Sequence, residues 1–263
     1  MVHSLYEQLM KRLCIDQRVI NCAIGRVQLP LATWKSPAEW YLFPPALIPI
    51  AADGGSPAYL GLWKHWFTKC EPGFVLLYVE VMQAYEIART DEQFFDYILV
   101  NAITEQDGVT KEIEDFAEFI TVDHLTELDE LTNESGDDPA GLLKLSSFTC
   151  NPPLIACKAD PMMYDGHFGQ KYITPDSEFD CDFASFEKNR SSGRSAFLKE
   201  VFASHLKKED LAGSWRILNS PGWQINDARA AISELSLKAQ DPDFDLLRQA
   251  WMSASEENLF INY

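Results

Sequence analysis

The chain has 263 residues, of which 46% are hydrophobic and 12% aromatic; it can bury a sizeable core, which excludes a disordered tail. Its 40 acidic residues against 22 basic ones leave a net charge of −18, which excludes charge-driven capture of nucleic acid or an anionic membrane and suits a basic partner, solubility alone being the plain alternative. No apolar run approaches the roughly 18 residues of a membrane helix, the N-terminus lacks a basic-then-apolar leader, and six scattered cysteines suggest reduced, mostly buried thiols, so the expected address is cytoplasmic.

Ser4-Leu5-Tyr6-Glu7 has the form of a capping box, and Leu5, Leu9 and Leu13 recur at helical spacing, so the chain is expected to open with a helix. A proline- and tryptophan-rich passage follows, in which Trp34 and Trp40 bracket Pro37. Two or more strands are expected next, over ALIPIA, AYLGLW and FVLLYVEV, the last from Phe74 to Val81. Between the first two stands Asp53-Gly54-Gly55-Ser56. A phosphate cradle needs more glycines, a lysine and a helix start, and neither GxGxxG nor GxxxxGK[ST] occurs here. The pair therefore reads as a hairpin turn, where glycine accepts positive φ. Thr90-Asp91-Glu92-Gln93 makes a second capping box. Behind it Phe94, Phe95, Ile98, Leu99 and Ala102 line one helical face, with Glu92, Gln93, Asp96 and Asn101 expected largely outside it.

Residues 105–138 carry 13 acidic side chains against one lysine, Lys111, and so hold −12 of the total charge. Ile113, Phe116, Ala117 and Ile120, then Leu125, Leu128 and Leu131, keep helical spacing, which predicts two short acidic helices. Asn133 to Gly141 is the best linker candidate. Two regions result: an α+β domain over 1–135, and a C-terminal region over 140–263, either separate or packed into the same unit. The second starts irregularly, with loops and short strands. Beyond Ser191 it turns helical: Phe197, Leu198, Val201 and Phe202 form one stripe, Ile232 and Leu235 lie in a helix opened by Asn226, and Asp241-Pro242 opens a last helix carrying Phe244, Leu247 and Trp251.

Chemistry-bearing patterns are sparse. His3, His65, His124, His167 and His205 are far apart, none in HExxH or beside CxxC; His124 and Glu127 are three apart but need ligands from elsewhere to hold a metal. Cys157, Asp160, Asp165 and His167 have the residue types of a thiolate nucleophile with base and orienting acid, although Cys157 beside Ala156 reads better as a small buried hydrophobe. Trp63 and Trp66, among Lys64, His65 and Phe67, either anchor a partner or close the end of the sheet core.

The order of the pieces is more telling than any one of them. Ile48, Pro49, Ile50, Asp53, Gly54 and Gly55 follow a strand–turn–strand of the type hPIhxDGGG, and Ile87, Ala88, Thr90, Phe94, Phe95, Ile98 and Leu99 follow a helix of the type hAxSFxxFLxxh. Over about Pro30 to Ile103 the chain resembles the SUKH superfamily, the group around the yeast cell-wall regulator Smi1/Knr4. That family's early tryptophan-bearing helix and LPxxYxxhh segment have only imperfect counterparts here in Trp40 and LFPPAL. The resemblance implies an α+β fold with a curved mixed or antiparallel sheet and helices against one face. It implies no catalytic residues, and a bacterial immunity protein that neutralises a cognate toxin, which the charge of −18 leads one to expect to be basic; no cofactor or metal is expected. The acidic contribution is expected from Glu112, Glu114, Asp115, Glu118, Asp123, Glu127, Asp129 and Glu130, with Trp63 and Trp66 as the apolar candidates. A regulatory scaffold of the same fold and a cysteine-dependent enzyme are the alternatives.

Overall fold

A computed structural model describes residues 2–38, 44–79, 83–136, 138–157, 162–163 and 194–257. Trp40, Asp160, Asp165, His167 and Cys181 lie outside them. The fold is α+β. Helix α1 (Val2–Arg12) opens the chain, but Ser4 lies inside it, one turn from Gln8 Nε2 at 3.4 Å, and does not cap it. Asp16 caps α2 (Gln17–Ala23) by accepting from Arg18 N at 2.7 Å.

Six described strands form one antiparallel meander in chain order: β1 (Trp34–Lys35), β2 (Leu47–Asp53), β3 (Ala58–Trp63), β4 (Gly73–Tyr78), β5 (Gln83–Ala88) and β6 (Met162–Met163). The β2–β3 register shifts between Pro49 and Ala51, at the proline that has no N–H for the ladder. Every residue of β2 and β3 except Asp53 is buried. A sheet covered on one face alone leaves alternate residues exposed, so both faces of these central strands are covered.

The glycine pair does join two antiparallel strands, though not through positive φ, since neither Gly54 nor Gly55 occupies the left-handed region. Asp53 builds the turn instead. Its Oδ1 accepts from Gly55 N at 2.9 Å and its Oδ2 from Ser56 Oγ at 2.7 Å, while Gly54 N donates to Thr33 O at 2.8 Å beside β1.

Helix α3 (Asp91–Gln106) starts where the capping box predicts, with Thr90 Oγ1 accepting from Gln93 N at 3.2 Å. Two acidic helices follow, α4 (Lys111–Ile120) and α5 (Leu125–Ser135), and bury the apolar residues that their spacing singled out except Leu125, which is half-buried. After a 3₁₀ turn (Pro139–Lys144) come α6 (Ser146–Thr149) and α7 (Leu154–Cys157). Helices α8 (Arg194–Lys207), α9 (Leu211–Leu218), α10 (Ile225–Ala239) and α11 (Pro242–Glu257) complete the described chain. Gln224, not Asn226, is the residue before α10, whereas Asp241 caps α11 by accepting from Asp243 N and Phe244 N at 2.8 and 3.2 Å.

Residues on both sides of 133–141 share one core. Its continuous cluster runs from Tyr6 to Ala254 and includes Leu142, Leu145 and Phe148 just beyond the polar stretch. Helix α11 packs on α1, with Arg12 Nη1 reaching Asp243 Oδ1 at 2.8 Å. The α9 end closes the sheet: Trp215 Nε1 donates to Lys64 O at 3.1 Å, and Ala46 N donates to Asn219 Oδ1 at 2.7 Å. Trp66 and Trp215 both meet Phe244 edge-on, with centroids 5.4 and 5.3 Å apart.

This packing corrects one expectation. Trp63 is 2% exposed and Trp66 5%, so both close the sheet core and neither offers surface to a partner. Each flanks the end of β3, where α9 and α11 arrive, and burying an indole there outweighs leaving it in water. The thiols depart from expectation too: Cys22 and Cys70 are buried, but Cys14, Cys150 and Cys157 are exposed.

Candidate acidic interface and its polar cleft

Helix α4 forms because Ile113, Phe116, Ala117 and Ile120 fall on one side, toward the core, leaving the acids outside. Glu112 and Glu114 in its first turn, and Glu127 in the first turn of α5, sit favourably at the positive ends of the helix dipoles. The other end of α4 is held by Arg18, whose Nη1 donates to Ile120 O at 2.6 Å and whose guanidinium lies 5.0 Å from the centre of the Phe95 ring. Thr121, with φ of 58°, turns the chain from α4 toward α5.

Of the eight predicted acidic contacts, Glu112, Glu114, Asp115, Glu118, Asp123, Glu127 and Glu130 are exposed and Asp129 is half-buried. Lys111 engages two of them, Asp115 at 2.7 Å and Glu114 at 3.6 Å. Among the described residues Glu112, Glu118, Glu127, Asp129 and Glu130 have no ion-pair partner, so the negative potential of this surface is mostly uncompensated.

Beside the N-terminus of α5 lies a cavity of about 380 Å³, lined by Thr90, Glu92, Asp96, His124, Glu127 and the Leu145–Ser147 corner. At its base Asp96 is 1% exposed; its Oδ1 lies 2.9 Å from His124 Nε2, and its Oδ2 accepts from Ser147 Oγ at 2.6 Å. Next to it the fully buried Gln93 donates from Nε2 to Ser147 O and Asn151 O at 2.9 and 3.0 Å, while its Oε1 accepts from Arg89 N at 2.7 Å. Both side chains fall off the apolar face of α3 and read in the sequence as solvent-facing. They are buried because residues 139–157 fold over that side, and each hydrogen bond meets a group the loop would otherwise leave unpaired. The signal within reach was Gln93 itself, whose capping-box position fixes it in the first turn.

The hydroxyl, carboxylate and imidazole here are in the order Ser147–Asp96–His124. In a nucleophilic relay the imidazole stands between acid and hydroxyl, where it can take the hydroxyl proton. Here the carboxylate stands between, so Ser147 donates to Asp96 and His124 does not reach it through this bond. The arrangement ties α3, α5 and α6 together. In the first turn of α3 Asp91 has its carboxyl pushed up to about 6, chiefly by burial and also by the charges of Asp16 and Glu92, against the opposing pull of Arg18.

A pair of a buried glutamate and a half-buried arginine anchors the same loop. Glu86 is held bidentately by Arg89, with Nε to Oε1 at 3.0 Å and Nη2 to Oε2 at 2.9 Å, and its Oε2 also accepts from Leu154 N at 2.9 Å. Arg89 Nη1 continues to Asn151 Oδ1 at 2.9 Å. Of the sequence's thiol cluster, Cys157 ends α7 exposed, not buried as a small apolar filler, and its proposed partners lie outside the described residues. Burial pushes the Cys22 thiol up to about 12, which leaves it protonated at neutral pH. Among the described residues no group of three or more His, Cys, Asp or Glu is arranged to hold a metal ion, and no helix is long and apolar enough to cross a membrane.

Comparison with known protein families, with curated protein sequences and with solved structures finds no match to this chain.

Proposed function

We propose that this protein works by binding a basic protein through the α4–α5 surface, and that it is an immunity protein whose target is a cognate toxin. The observation that carries the reading is the concentration of exposed carboxylates on two consecutive helices, both packed on α3, with a single lysine among them. A toxin that acts on nucleic acid needs a basic groove for phosphate. A folded, negatively charged ridge offers that groove a substitute ligand and blocks it by occupying it. Long-range attraction of this kind raises association to on the order of 10⁸ M⁻¹s⁻¹ and weakens with salt, which suits capture before the toxin acts. The SUKH-like order of strand, glycine turn and capped helix supplies the toxin as the partner; the surface supplies the sign of its charge.

The test is capture of the native partner from the producing cell, followed by association kinetics over a range of salt. Replacing Glu112, Glu118, Glu127 and Glu130 with lysine is expected to slow association about tenfold or more and to flatten its salt dependence. An association rate indifferent to all four reversals removes this surface from the function.

A further inference from the structure

Charge speeds an encounter more than it holds a complex, so an acidic surface that binds tightly needs an apolar centre. With Trp63 and Trp66 buried, that centre lies elsewhere. The large apolar side chains exposed among the described residues are Val109, Phe119, Leu143 and Leu237, and Phe119, 38% exposed, is the aromatic one. It lies in the last turn of α4, and Glu112, Asp115 and Phe119, at i, i+3 and i+7, share one stripe of that helix. All three are exposed, and so are Glu118 beside Phe119 and Asp123 past the turn. An exposed phenyl ring on a helix stripe that also carries carboxylates has the layout of an interface hot spot, an aromatic anchor that is desolvated on contact beside a charged rim.

We propose that Phe119 is the apolar anchor of this surface. Its complement is an amphipathic segment of the basic partner that presents an aliphatic pocket between lysine or arginine side chains. The proposal rests on the reading that the α4–α5 surface binds a basic protein, and names the contact that holds the two together. Charge complementarity selects the occupant, since an apolar segment without cations would strip water from Glu112 and Glu118, which have no ion-pair partner among the described residues, with nothing to pair them.

The experiment uses the full chain and two peptide probes of equal positive charge: oligolysine, and an amphipathic helical peptide of lysine and leucine. The amphipathic peptide is expected to bind about tenfold or more tightly than oligolysine. Phe119→Ala erases that difference, Phe119→Leu keeps most of it, and Glu112→Lys with Glu118→Lys weakens both probes. Thermal unfolding of each variant checks that the half-exposed position leaves the fold intact, and the leucine variant separates lost apolar contact from lost structure. If charge reversal weakens both peptides while Phe119→Ala leaves their ratio unchanged, the anchor is wrong and the acidic-surface reading stands. If neither peptide binds, both fall. Self-association in sedimentation that Phe119→Ala abolishes would assign the ring to a contact between copies of this chain and overturn the proposal.

Discussion

The carboxylate of Asp96 joins two side chains from different elements: His124 Nε2 lies 2.9 Å from its Oδ1, and Ser147 Oγ donates to its Oδ2 at 2.6 Å. One buried group therefore fixes where α5 begins and where the loop after the 3₁₀ turn crosses α3. Removing it takes away a charge-assisted acceptor from two partly exposed partners, which water then reaches in part, so the loss is mainly that of the two bonds to a carboxylate. Asp96→Ala is expected to lower the unfolding free energy by about 2–3 kcal/mol, and Ser147→Ala by about 1 kcal/mol. Urea denaturation measures both. In the double variant the losses should fall short of additive, since each mutation removes the same bond; strict additivity would show that the two side chains do not act together.

The Glu86–Arg89 pair sets a harsher test. Glu86 is buried and satisfied three ways, by Arg89 Nε, Arg89 Nη2 and Leu154 N. Truncating one partner strands the other charge, so Arg89→Ala is expected to cost about 3–5 kcal/mol, whereas an exposed pair such as Lys144–Glu134 contributes about 0–1 kcal/mol. The comparison needs denaturant midpoints for Arg89→Ala and Lys144→Ala under one condition, and equal losses would contradict the buried geometry.

Asp91 links stability to pH. Its folded carboxyl titrates at about 6, above the ordinary carboxylate value, mainly because it is partly buried. The folded state therefore holds this proton more tightly than the unfolded chain does. Its contribution is most favourable below the unfolded value and is lost as pH rises through about 6. Asp91→Asn removes the ionisation and is expected to raise stability at neutral pH by about 1–2 kcal/mol after allowance for solvent screening and a weaker helix-dipole contact. The gain should vanish near pH 4. Guanidinium unfolding of both proteins across that window reads the difference, and a gain independent of pH would point to a cause other than this carboxyl.

Glycines divide by what surrounds them. A Cβ on Gly61 would sit 2.6 Å from Ile48 O and 2.9 Å from the Leu47 side chain, whereas one on Gly54 would meet Thr33 O at 3.3 Å and one on Gly55 only Asp53 Oδ1 at 3.5 Å. Gly61→Ala must push β3 away from β2 and is expected to cost about 2–3 kcal/mol. Gly55→Ala should stay within about 0.5 kcal/mol of the wild type. Thermal melts of the two variants settle the ranking, and an unperturbed Gly61→Ala protein would show the β2–β3 spacing to be looser than described.

Legibility in the sequence followed periodicity. The strands at β2, β3 and β4, the capped start of α3, the two acidic helices and the Asp241 cap of α11 were all readable, because each rests on spacing or on a side chain that satisfies the backbone within a few residues. Helix α9 went unseen, since Leu211–Leu218 is short and buries even Ser214 and Arg216, which leaves no polar face to mark a period. The exposed acids of α4 and α5 were legible for the same local reason that made those helices legible.

By itself, then, the sequence determined local order and the distribution of charge: alternating and helical spacings, the caps, the Asp53 turn and the acidic stretch depend on neighbours in the chain. Tertiary structure alone decided which aromatics meet water and which polar groups are buried. Trp66 packs edge-on against Phe244, Trp215 reaches the Lys64 carbonyl between the two buried indoles from 151 residues further along the chain, and Asp96 is bonded by Ser147 and His124 from separate elements. Burial is a property of what arrives from elsewhere in the chain, and no window of neighbouring residues contains it.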